Sequence, residues 1–132
     1  MTSSSYSPAA NQTWLAPVAS APISAIVKLP GSKSLTNREL VLAALATSPT
    51  ELIEPLISRD SELMIAALTS LGAQFERRID SMVVSPIESS RAAKAVAIDC
   101  GLAGTVMRFV PPLAALSTEV IDFDGDEAAR RR

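Results

Sequence analysis

From Ile23 onward the chain repeats one order of events: a short apolar run, a turn carrying glycine or proline, then an apolar stretch with helical spacing. "ISAIVKL", Ile23–Leu29, alternates enough to be a strand, and Pro30-Gly31 ends it. "SLTNRELVLAALAT", Ser34–Thr47, reads as a helix. Thr36 with Glu39 has capping-box spacing, and Ser34 could equally be the first cap. After Glu39 this helix is apolar nearly all round, so burial is expected. "TELIEPLI", Thr50–Ile57, is a strand broken by Pro55. "RDSELMIAALTSLGAQ" is a second helix, with Asp60 as its expected N-cap and Gly72 just past its end. Leu63, Ala67, Leu68 and Leu71 share one face of it. "AQFERRI" and "SMVVSP" flank Asp80-Ser81 as a hairpin. Ala93–Asp99 is a further strand, "CGLAGTVMRFVPPLAALS" leads two glycines into a third helix, and Glu119–Gly125 is a last strand. The order β-α-β-α-β-β followed by β-α-β predicts an α/β (α+β) layer fold.

At 132 residues the chain has the length of about one domain, enough to bury roughly two thirds of its unfolded surface. With 48% apolar residues and only 4% aromatics, the core must be built from Ala, Leu, Val and Ile. Residues 1–22 are rich in Ser, Pro and Ala without a clear period. They read as a flexible tail, except that Trp14 and Leu15 could form a short strand or an anchor onto a partner surface, and residues 23–132 read as the folded part. The first 22 residues lack a basic stretch followed by an apolar core, so no secretory signal is expected. No run reaches the ~18 apolar residues of a membrane helix. A cytoplasmic protein is the expectation. A net charge of −2 gives no general attraction to nucleic acid or lipid headgroups. The lone Cys100 cannot form an internal disulfide, no Cys/His set suits zinc, and the absence of histidine removes the commonest general base.

The chemistry sits where the glycine turns meet the helices. A helix N-terminus exposes unpaired N–H groups and partial positive charge, which attract anions and disfavour cations. "LPGSKSLTNREL" nevertheless places Lys33 and Arg38 there, beside the Ser34 hydroxyl and the unobstructed backbone of Gly31. "GLAGTVMR" repeats the arrangement, with Arg108 one turn into its helix. Two such turns suit a ligand with more than one anionic group; the plainer alternative is two ordinary strand-to-helix turns with solvated cations. A nucleotide-binding P-loop is ruled out, because Ser32 and not glycine precedes Lys33, and Val27 and Lys28 stand where the first glycine is required.

"LPGSKSLTNRELVLAALA" and "GLAGTVMRF" closely resemble the family of 5-enolpyruvylshikimate-3-phosphate synthases. "SRDSELMIAALTSLGA" and "DGDEAARRR" follow in the family's order, so the resemblance covers about residues 23–132. It implies a fold of βαβαββ units, only part of a two-domain enzyme. It implies transfer of the enolpyruvyl group of phosphoenolpyruvate to the 5-hydroxyl of shikimate 3-phosphate, with no metal and no organic cofactor. By resemblance, Lys33 contacts both substrates and is the catalytic cation. Ser34 and Arg38 hold shikimate 3-phosphate, with Arg38 on its carboxylate, where a planar guanidinium can form two parallel bonds. Gly104 and Arg132 bind phosphoenolpyruvate, and Arg108 has a supporting role. The implied partners are these two small anions, without nucleic acid or membrane, and the implied full-length state is a monomer.

Leu102 departs from the family by standing where many members have asparagine. A larger departure is length. The family's serine-rich phosphate site and its later Asp, Glu and Lys, used for proton transfer and closure, have no counterpart here. The expectation is an N-terminal fragment that is inactive alone. The alternative is a non-enzymatic remnant or stand-alone anion-binding module.

Overall fold

A computed structural model describes residues 15–27, 29, 31–88 and 96–131. In chain order the elements are α1 (Lys33–Ala44), β1 (Thr50–Ile53), α2 (Arg59–Ser70), β2 (Gln74–Arg77), β3 (Ser81–Ser85), β4 (Val96–Asp99), α3 (Gly104–Ala114), β5 (Ile121–Asp124) and the single turn α4 (Glu127–Arg130). The α/β class predicted from the alternation is the one observed.

The strands form two sheets. β1, β3 and β2 make an antiparallel sheet in that order, with Thr50 opposite Val84 and Gln74 opposite Ser85. The β2–β3 hairpin lies where its flanking runs predicted. Met82 and Val84 point inward from β3, alternating with half-buried neighbours as a one-sided strand requires. β4 and β5 pair in parallel, with α3 as the crossover between them. The three long helices pack on one another, α1 and α2 also meeting β3 and β2 and α2 meeting β4. Leu40, Met64, Leu68, Met82, Val84, Val106 and Val110 are fully enclosed, an aliphatic core as the composition demanded.

Four local expectations are corrected. Helix α1 is capped by Ser32, whose Oγ accepts from the Leu35 N–H at 3.3 Å, and by neither Ser34 nor the Thr36–Glu39 pair. Thr36 is buried, and its hydroxyl instead accepts from the Leu56 N–H, tying the helix to the chain after β1. Helix α2 is capped by Ser58, in a reciprocal box with Ser61, so Asp60 lies inside the first turn. The expected strand at Ile23–Leu29 does not form among the described residues: Ile23, Ile26, Val27 and Leu29 are exposed, and the segment joins neither sheet. Alternation marks a chain able to pair, while a strand also needs a partner. Helix α1 is likewise buried on one side only. Leu40, Val41, Ala43 and Ala44 face the core, and Leu35, Leu42 and Leu45 face outward. Residues 1–14 of the expected tail and 93–95 of an expected strand lie outside the described residues; residues 15–22 are exposed, without helix or strand.

Glycines fix the turn that leads from β4 into α3. Gly101 has φ +50° and donates its N–H to Asp99 Oδ1 at 2.8 Å. A Cβ there would stand 2.7 Å from Leu63 Cδ1. A Cβ on Gly125, just after β5, would stand 2.6 Å from the Gly101 carbonyl oxygen, which also accepts from the Asp126 N–H at 3.1 Å. The two turns therefore interlock through backbone that cannot yield. Gly125→Ala is expected to lower stability by about 1–3 kcal/mol in thermal melts. Gly31→Ala is expected to change it by no more than about 0.5 kcal/mol, because the nearest atom to that Cβ is 3.5 Å away.

Candidate functional site

Three helix N-termini converge on one small cleft. It has a volume of about 220 Å³ and is lined by Lys33, Ser34 and Asn37 of α1, Asp60 of α2, and Gly104, Thr105 and Arg108 of α3. Lys33 and Ser34 are the first two residues of α1 and Gly104 is the first of α3, so both glycine turns deliver their helix starts to the same place. The cap position of α3 is Ala103, which has no side-chain oxygen to satisfy the first N–H groups. An incoming anion can take those donors.

The charges are arranged to tolerate this convergence. Lys33 Nζ lies 3.0 Å from Asp60 Oδ2, and both are partly exposed. Asp60 thus serves two helices, as an anion in the first turn of α2 and as the counter-charge for Lys33 at the start of α1. Arg108 Nη1 donates to the Gly104 carbonyl at 3.1 Å, folding the guanidinium back over its own helix start. Two cations against one carboxylate leave the lining with one positive charge in excess. Asn37 is fully buried behind the cleft, and its Nδ2 donates to Thr105 Oγ1 at 2.6 Å.

Of the residues predicted from sequence, Lys33, Ser34 and Gly104 meet here. Arg38 is exposed one turn further along α1 and does not line the cleft. Arg132 lies outside the described residues. Its neighbours are engaged locally: Arg130 grips Asp124 through two bonds of 2.7 and 2.5 Å, and Arg131 pairs with Glu127. Gly31 is not part of the cleft; it borders a larger cavity of about 740 Å³ beside β1 and the β2–β3 turn. The cations of that cavity are already neutralised, Arg77 by Glu62 and Arg78 by Glu51 and Glu76. Sequence reasoning missed Asn37, Asp60 and Thr105 as site residues, and only the spacing of Asn37 from Lys33, four residues, could have placed it on their side of the helix. Cys100 is buried next to β4, and burial first, then Asp99 and Asp124, pushes its thiol pKa up, so it is a poor nucleophile.

A family model described as EPSP synthase (3-phosphoshikimate 1-carboxyvinyltransferase) matches residues 18–132. The chain belongs to the EPSP synthase family. A 3-phosphoshikimate 1-carboxyvinyltransferase of Kocuria rhizophila is 54% identical over 140 residues, covering 100% of this chain and 32% of the relative. One of Bifidobacterium longum is 49% identical over 124 residues, covering 90% of this chain and 27% of the relative. Two solved structures of EPSP synthase from Acinetobacter baumannii share the fold. Their TM-scores are 0.67 and 0.68 at 23% and 22% identity, each over 80% of this chain and 24% of the solved one. The chain therefore spans less than a third of the length of the curated relatives it matches. No helix of the described residues is long and apolar enough to cross a membrane.

The Asp124–Arg130 pair closes the β5–α4 turn and has a pH signature. The bonds from Arg130, then the Gly125 N–H, hold the Asp124 carboxyl down to about 2. A depressed folded pKa contributes stability that is present above the unfolded value of about 3.9 and is lost as pH falls through the folded one. Carbon-detected NMR of the Asp124 carboxyl is expected to titrate near 2, and in Arg130→Ala to move up toward about 3.9.

Proposed function

We propose that this chain forms one substrate-gripping wall of a 3-phosphoshikimate 1-carboxyvinyltransferase. The carrying observation is the meeting of Lys33, Ser34 and Gly104, from two helix starts 71 residues apart in sequence, in one cleft with excess positive charge. Family membership supplies the chemistry that such a cleft would serve. The 5-hydroxyl of shikimate 3-phosphate adds to C2 of phosphoenolpyruvate, its proton leaves, and a proton arrives at C3. The tetrahedral intermediate then loses phosphate and the added C3 proton, which restores the enol double bond.

Each residue has a role set by its chemistry. Lys33, freed from Asp60 as ligand enters, faces both anions and offsets charge on the departing phosphate. Ser34 donates a hydroxyl and a helix-start N–H to shikimate 3-phosphate. Arg38 reaches that ligand's carboxylate from outside the cleft, its long exposed side chain having the freedom to swing in. Gly104 presents its N–H to phosphoenolpyruvate, and Arg132 adds a second cation there. The ionisable groups lining the cleft are Lys33, Asp60 and Arg108. Lys33 and Asp60 hold one another, so proton delivery to carbon calls for groups beyond these. That supports a reading in which the 132 residues alone bind anions and the complete enzyme turns over. The setting would be the cytoplasm, with two small anions as partners and no cofactor.

Purified 1–132 with both substrates is expected to release no phosphate above background. In the complete enzyme carrying this sequence, Arg38→Ala should weaken shikimate 3-phosphate in calorimetry by roughly 10- to 150-fold, the worth of a charge-assisted contact of about 1.5–3 kcal/mol. Its melting temperature should stay unchanged, and Arg38→Lys should recover only part of the affinity. Gly104→Ala should raise the KM for phosphoenolpyruvate with little effect on stability, since the new methyl meets only the movable end of Arg108, 2.8 Å away. Unchanged affinity in Arg38→Ala and an unchanged KM in Gly104→Ala would overturn the assignment.

A further inference from the structure

Among the described residues, Asn37 Oδ1 is the one buried side-chain nitrogen or oxygen without a hydrogen-bond partner. Natural folds pair the large majority of such atoms, so an exception asks what the residue is kept for. Stability is a poor answer. Leucine has nearly the same shape, would itself carry no unpaired acceptor, and would suit a position that is 0% exposed within α1. What leucine would not do is donate to Thr105 Oγ1. That bond, 2.6 Å long, joins residues 68 apart in sequence. It links the second turn of α1 to the first turn of α3: Asn37 lies one turn beyond Lys33 on the same side of α1, and Thr105 follows Gly104. At the opposite end of that turn, Gly101 is clamped by Gly125 and Leu63. The Asn37 bond fixes the end that faces the ligand.

We infer that Asn37 is a positioning residue: through Thr105 it sets where the Gly104–Thr105 turn stands relative to Lys33 and Ser34, and so how tightly the cleft holds phosphoenolpyruvate. This rests on the function proposed above. Shikimate 3-phosphate depends less on it, because α1 keeps its own anchors in the Ser32 cap and the Thr36–Leu56 bond.

The test is steady-state kinetics with thermal melts on the complete enzyme carrying Asn37→Leu, Thr105→Val, both together, and Thr105→Ser. The double variant replaces both partners by apolar groups of similar shape, so it should melt at or above the parent temperature. Its KM for phosphoenolpyruvate should nonetheless rise about 10- to 100-fold, the cost of a displaced turn, with the KM for shikimate 3-phosphate within about twofold of the parent. Each single variant should show most of that loss, because both break one bond. Thr105→Ser, which keeps the hydroxyl, should restore most of it. A double variant with parental KM for phosphoenolpyruvate overturns the inference. So does one whose two KM values rise together with a lowered melting temperature. Should the Asn37 variants fail to fold, a Thr105→Val that matches Thr105→Ser in KM overturns it equally. A parent enzyme that turns over neither substrate brings down the functional reading, and this inference with it.

Discussion

Three positive helix ends aimed at one small volume repel each other, and the structure is organised around containing that repulsion. The containment is visible residue by residue. Ser32 and Ser58 satisfy donors at the starts of α1 and α2. Asp60 sits in the first turn of α2 and faces Lys33 across the cleft. The start of α3 alone has a cap residue without an oxygen, and it is held mechanically instead, by interlocked glycine turns behind it and by Asn37 beside it. A helix end stabilised by geometry rather than by its own cap keeps its donors available.

This division explains what the cleft can and cannot do chemically. It offers a mobile ammonium, a hydroxyl, uncapped backbone N–H groups and an arginine folded over its own helix, all suited to holding oxyanions. The pairing of Lys33 with Asp60 keeps the charges matched until a ligand competes for the lysine; binding then exchanges one ion pair for another and leaves the Asp60 carboxylate to solvent and the positive end of α2. The chain belongs to a family whose curated relatives are more than three times its length.

Much of this was legible in the sequence where the signal was local. Gly72 ends α2 with φ +108°, the hairpin forms with its turn at Ile79-Asp80, one residue before the expected Asp80-Ser81, and Lys33, Ser34 and Gly104 lie at helix starts because glycine, serine and spacing encode them. Reading failed where the deciding partner was distant. Asp60 has the composition of an N-cap, and only the fold reveals Ser58 as the cap and Lys33 as the partner of Asp60. Asn37 carries no local signal of its role, because its partner Thr105 lies 68 residues away. The alternating residues of Ile23–Leu29 signalled a strand, but the described part of that segment joins neither sheet. The outward Leu35, Leu42 and Leu45 show the same limit, since an apolar pattern states what could be buried and packing decides what is.

The account stands or falls on the cleft being an anion site assembled from two helix starts at once. Amide NMR of the 132-residue chain, titrated with phosphoenolpyruvate at low salt, addresses that directly. The N–H signals of Lys33, Ser34, Gly104 and Thr105 should shift together along one saturating curve, and the shifts should shrink as sodium chloride is raised. Shifts confined to α1, shifts centred on Arg77 and Arg78 in the larger cavity, or no saturable shift at all would contradict it.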